Sequence, residues 1–146
     1  MIETRVQFKG LDQIDAALKE LPVQMQKNVL RRGLRYAAEV LQDGMARRAP
    51  RSAVHRVVRR GKDYPERLAD SIGIRTRFRK DGDPTAEVGP RRSAFWGRFL
   101  EFGTRFQRAR PFIRPALDHD GQIAVSAFAN GARDELEKVV RRLRRR

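Results

Sequence analysis

Between Pro22 and Pro50 lies the segment that most limits how this chain can fold. Met25, Leu30, Leu34, Ala37, Ala38, Leu41 and Met45 form an apolar stripe at helical spacing, with Lys27, Arg31, Arg35, Glu39 and Gln42 elsewhere on the surface. The pattern predicts one amphipathic helix of roughly 25 residues. Pro50 ends it, because the residue before a proline, Ala49, is pushed out of the helical region. Upstream, Leu11, Ile14, Ala17, Leu18 and Leu21 predict a shorter amphipathic helix that Pro22 punctuates. Before that, Thr4, Val6 and Phe8 alternate as a strand over residues 2–8 that Gly10 closes.

The second half reads differently. Ile72, Ile74, Thr76 and Phe78 alternate with Gly73, Arg75 and Arg77, which predicts a half-buried strand. Asp81-Gly82 is a strong hairpin signal, and Thr85–Gly89 is the returning strand. A turn accounts for Asp81 and Asp83 more simply than a metal site does. After Ser93, Phe95, Phe99 and Phe102 stand at helical spacing beside Trp96 and Leu100, and Gly103 is placed to close that short helix with a left-handed cap. Residues 105–115 run extended, and Pro115 sits where the first turn of a last helix tolerates it. Leu117, Ala124, Phe128, Leu136, Val140 and Leu143 mark that helix, with Gly121 and Gly131 as places for a kink. The expected architecture is an α+β domain spanning 1–146, a small antiparallel sheet packed against the long helix and the C-terminal helix. At 146 residues the chain has material for a single core.

Residues 50–66 show no sustained period and contain Pro50, Gly61 and Pro65, so they are expected to form a long mobile loop. Much of the charge is there. The chain carries 33 Lys and Arg against 18 Asp and Glu, a net charge of +15, and residues 47–62 hold seven basic side chains and no acidic one. A second basic run, 141–146, forms the tail. Arg56, Arg59 and Arg60 in the loop and Arg141, Arg142 and Arg144 in the tail are therefore the candidates for contact with a polyanion or a partner. Specific nucleic-acid readers such as an aromatic RNP strand, a GxxG clamp or a zinc finger are not recognisable, although Arg75 and Arg77 share one strand face and are suited to phosphate contact.

Chemistry is sparse. With no cysteine, thiolate metal sites, iron–sulfur clusters and cysteine nucleophiles are excluded, and His55 and His119 are read as solvated loop residues outside any metal centre. No catalytic triad, phosphate loop or paired-carboxylate pattern is seen, and no cofactor is expected. Glu101, embedded among aromatics, is the single carboxylate whose surroundings suggest a raised pKa and reactivity; an ion pair with Arg98, Arg105, Arg108 or Arg110 explains it more simply. Without an 18-residue apolar stretch or an apolar leader, neither a membrane span nor a signal peptide is expected, and synthesis in a cytoplasm-like compartment is.

Leu100-Glu101-Phe102-Gly103-Thr104, followed by Ala109-Arg110-Pro111-Phe112-Ile113-Arg114-Pro115-Ala116-Leu117, resembles the EFGT and ARPF-RPAL motifs of the tail-component family of long-tailed bacteriophages and prophages, typified by gene product ten of a lambdoid phage and also described as a neck or tail-completion family. Gly10-Leu11-Asp12, Ala49-Pro50, and Leu68 with Asp70-Ser71-Ile72 are supporting matches; the longer Arg-rich stretch after Pro50 departs from the family's short Thr-Gly link. The resemblance implies a structural virion component at the head–tail junction, made in the bacterial host's cytoplasm and working as an oligomeric ring without enzymatic activity. Its implied partners are further copies of itself, other head–tail connector or tail proteins, and packaged DNA by nonspecific contact. Glu101, Phe102, Gly103, Thr104, Arg110, Pro111, Phe112 and Pro115 are the motif residues, which either shape subunit contacts or serve only as a helix cap and prolines that aim the last helix. The rival classes are a nonspecific nucleic-acid-binding protein and a small basic nuclease dependent on Glu101.

Overall fold

A computed structural model describes residues 11–51, 54–59, 62–78 and 82–144. Two long helices organise it. Helix α1 covers Leu11–Lys19 and α2 covers Val23–Arg48, ending at Ala49, whose extended backbone (ψ 133°) is what Pro50 imposes. Helix α5, Ile113–Leu143, runs antiparallel to α2: Val29, near the start of α2, shares a cluster with Ala132 and Val139, whereas Met45, near its end, shares one with Ala116. The expected strand over 2–8 lies outside the described residues.

Gly121 and Gly131 do not break α5, which is one helix of 31 residues. Gly131 instead allows close approach: a Cβ there would collide with the Tyr36 ring, and one at Gly33 would stand 2.9 Å from the Phe128 ring. Each helix therefore receives an aromatic ring of the other at a position without a side chain. The buried line of α2 accordingly runs through Val29, Gly33, Ala38, Gly44 and Met45, while Leu117 and Leu143 of the expected α5 stripe are largely exposed.

The strand pair β3 (Ile72–Phe78) and β4 (Pro84–Pro90) is the expected hairpin, antiparallel from Ile72↔Pro90 to Phe78↔Pro84. It packs against α2, and Ile72 joins Met45, Leu68, Leu100, Phe112 and Ala116 in the larger core cluster. Gln42 of α2 ties the two together by donating to the Ile72 carbonyl at 2.6 Å. The molecule is thus α+β, with its hairpin and both long helices sharing a core.

Residues 50–66 depart from the expected loop. Val54–Arg59 (β1) and Lys62–Arg67 (β2) form a second antiparallel pair, in register from Val54↔Arg67 to Arg59↔Lys62. Charged side chains between Val54, Val57, Val58 and Tyr64 hide the period-two signal, yet β-branched and aromatic residues still favour extended backbone. Pro65 fits because both strands of a two-stranded sheet are edges, where a missing N–H donor is tolerated. A four-residue helix, α3 (Leu68–Ser71), links β2 to β3. A 3₁₀ turn, Arg92–Ala94, then leads to α4, Gly97–Phe102.

Candidate functional site

The motif residues meet where α4 hands the chain to α5. Leu100 and Glu101 are buried on α4, and from there the chain must reverse to deliver Phe112, which is fully buried. Gly103 begins the reversal with φ 74° and ψ 175°. The positive φ agrees with expectation, but this ψ lies outside the left-handed helical basin, in a region essentially confined to glycine. A Cβ at Gly103 would also lie 2.8 Å from the backbone nitrogen of Ala109, so the close return of the chain needs glycine a second time.

Thr104 closes the reversal into a tight turn. Its N–H donates to the Gln107 carbonyl at 2.9 Å, the Gln107 N–H donates back at 3.2 Å, and its Oγ1 accepts from the amides of Phe106 and Gln107. Residues 104–107 are thus a closed turn where an extended run is expected. The Arg110 N–H then donates to the Leu100 carbonyl at 2.7 Å, clamping the two arms of the excursion.

Glu101 completes the junction. Its Oε2 accepts from the backbone N–H groups of Phe112 (2.7 Å) and Ile113 (2.9 Å), and its Oε1 from Arg114 (3.2 Å). These are among the first amides of α5, which have no partner inside the helix. A carboxylate eleven residues upstream supplies it and places negative charge at the positive end of the helix dipole. Burial pushes the Glu101 carboxyl towards its neutral form; the hydrogen bonds from Ile113, Phe112 and Arg114, with the Arg114 charge, outweigh that and hold it below the ordinary carboxylate value. The expected alternatives, a raised pKa or an ion pair with Arg98, Arg105, Arg108 or Arg110, give way to a helix cap. Pro115 stands in the first turn of α5, where its missing N–H is harmless.

Outside this junction, Asp120 of α5 is buried and accepts from Arg48 Nη1 of α2 at 2.5 Å, with Arg47 at 3.8 Å. Neither Asp120 nor Arg48 stands out in the sequence, since each sits in a charged, helical stretch with no motif around it. Between α2, β3 and α5, Arg31, Arg32 and Arg35 line a hollow of about 440 Å³ together with Asn28, Thr76 and the carboxylate-bearing Glu135, another grouping that linear charge counts miss. Of the basic residues singled out earlier, Arg56 and Arg59 lie on β1, Arg60 lies outside the described residues, and Arg141, Arg142 and Arg144 are exposed at the end of α5, with Arg141 3.4 Å from Glu137. Neither histidine lies in the expected loop: His119 is exposed on α5, and His55 lies on β1. Among the described residues no helix is long and apolar enough to cross a membrane, and no group of three or more potential ligands is placed to hold a metal ion.

What the junction holds outward is aromatic. Phe95, Phe99, Phe102 and Phe106 are all exposed, with the Arg98, Arg114 and Arg105 guanidinium groups over the rings of Phe99, Phe102 and Phe106 at 6.0, 5.7 and 4.4 Å. Exposed phenylalanine and arginine side chains are among the residue types enriched at protein interfaces. Residues 12–103 match the model of the HK97-gp10-like family, described as bacteriophage HK97-gp10, putative tail-component, and the chain belongs to that family. The matched span takes in Glu101, Phe102 and Gly103; Thr104 and the Arg110–Leu117 stretch lie beyond it. Neither curated proteins nor solved structures gave a match to this chain.

Proposed function

We propose that this protein is a structural component of the phage head–tail junction that works as a homo-oligomeric ring, with no catalytic role, and that it ends its life in the virion. The observation that carries this reading is the membership of a tail-component family in a chain that exposes four phenylalanines within twelve residues. Exposed apolar rings on a rigid element are a liability for a monomer and an asset for a subunit. A compact domain of this length has a radius of gyration of about 15 Å, too small to encircle a DNA duplex alone, so a neck piece built from it requires several copies. Head–tail connector or tail proteins are its proposed neighbours.

The cluster of Arg31, Arg32 and Arg35 favours a second capability, nonspecific contact with packaged DNA, because three guanidinium groups outnumber the single carboxylate lining the hollow, Glu135, and the one that Arg35 already meets, Glu39, leaving a net positive surface for phosphate oxygens. The same cluster supports the rival reading as a free nucleic-acid-binding protein. Electron microscopy of particles from a deletion strain separates them. The structural reading predicts heads and tails that fail to join, or tails left incomplete; particles that join normally without the protein contradict it.

A further inference from the structure

A chain of net charge +15 repels its own copies, and a local acidic surface that meets one of its basic faces offsets that repulsion. Helices α2 and α5 form one. A hollow of about 350 Å³ has Tyr36, Val40 and Ala127 along it together with Glu39, Asp43 and Asp134, and no cation lines it among the described residues, although Arg35 reaches Glu39 from outside at 2.8 Å. Phe106 has the complementary chemistry: its ring, 83% exposed, stands in the closed turn of residues 104–107 with the Arg105 guanidinium 4.4 Å above it.

We propose that the 104–107 turn of one copy docks in this hollow of the next, the Phe106 ring against Tyr36, Val40 and Ala127 and the Arg105 guanidinium towards Asp43 and Asp134. This deepens the ring reading and rests on it. The occupant is a second copy, because each chain's own turn is clamped at the start of α5 and Ala127 lies about 20 Å further along that helix at 1.5 Å per residue. Turn and hollow are different patches, so the contact is head-to-tail, the kind that generates a ring when its rotation closes. Aromatic and arginine anchors seated among apolar and acidic groups are also the residues in which binding energy concentrates.

Sedimentation of the full chain tests the contact. The wild type should associate, while Arg105→Glu with Phe106→Ser, and separately Asp43→Arg, should each weaken association on the order of tenfold or more. An equal mixture of the two variants should stop at dimers, since one intact turn and one intact hollow remain between them. Arg105→Glu with Asp43→Arg in one chain should recover part of the loss. In particles, the absence of native cysteine makes Phe106→Cys with Asn130→Cys, both exposed positions, a background-free cross-link: oxidation should give a ladder of multimers that neither single variant gives. Variants that associate like the wild type, or intact particles with several copies and no ladder, overturn this contact and leave the ring reading standing. Particles with one copy or none overturn both.

Discussion

Glu101 shows how one side chain can hold a fold together against its own solvation. Only 6% exposed, its charge is sustained by three amides and a nearby guanidinium, and its pKa is lowered. A lowered folded pKa means that the unfolded chain binds the proton more readily, so the contribution is present in full above the unfolded value of about 4.5 and is lost as pH falls through the folded value. Acid unfolding followed by circular dichroism should therefore show stability falling below that point, with a shallower fall in Glu101→Gln. At neutral pH the same variant should be less stable by about 1–2 kcal/mol, since an amide oxygen caps less strongly than a carboxylate. Arg48→Ala should also destabilise, by about 2 kcal/mol in a denaturant titration, because it strips the main partner from buried Asp120 while Arg47 and solvent compensate in part.

The pairing of α2 with α5 is built on exchanged space, each helix placing an aromatic ring against the other's glycine. This yields a change of sign. Gly131→Ala should destabilise by about 1–2 kcal/mol, the collision with Tyr36 outweighing alanine's better helix propensity. In a Tyr36→Ala background it should stabilise instead, by about 0.5–1 kcal/mol. Thermal denaturation of the four-member cycle measures this directly. Long periodic elements were the most legible: Pro22 and Pro50 bracket α2, and the Ile72–Phe78 strand follows its alternation. The β1–β2 pair was not, because arginines interrupt its pattern, and neither were Gly33 and Gly131, whose role depends on which residue of the partner helix arrives opposite. At the junction, the motif residues could be named from sequence, but a glutamate before glycine does not announce that it will cap a helix eleven residues away. Only the return of the chain through Gly103 and the Thr104 turn brings those amides to it.

Taken as one body, the protein carries an excess of positive charge, four exposed phenylalanines of which three lie under arginines, and an acidic hollow between its long helices. The capped junction keeps Phe102 of α4 and Phe106 of the turn at a fixed place relative to α5, which is what a subunit repeated around an axis requires. The three arginines that share a hollow with Glu135 between α2, β3 and α5 add a basic surface away from that junction. The most direct measurement is quantitative mass spectrometry of purified tailed particles, with copy number read against a component of known symmetry. A small, constant number of copies greater than one is predicted, the same in every preparation. Particles that lack the chain, or carry a single copy, contradict the account.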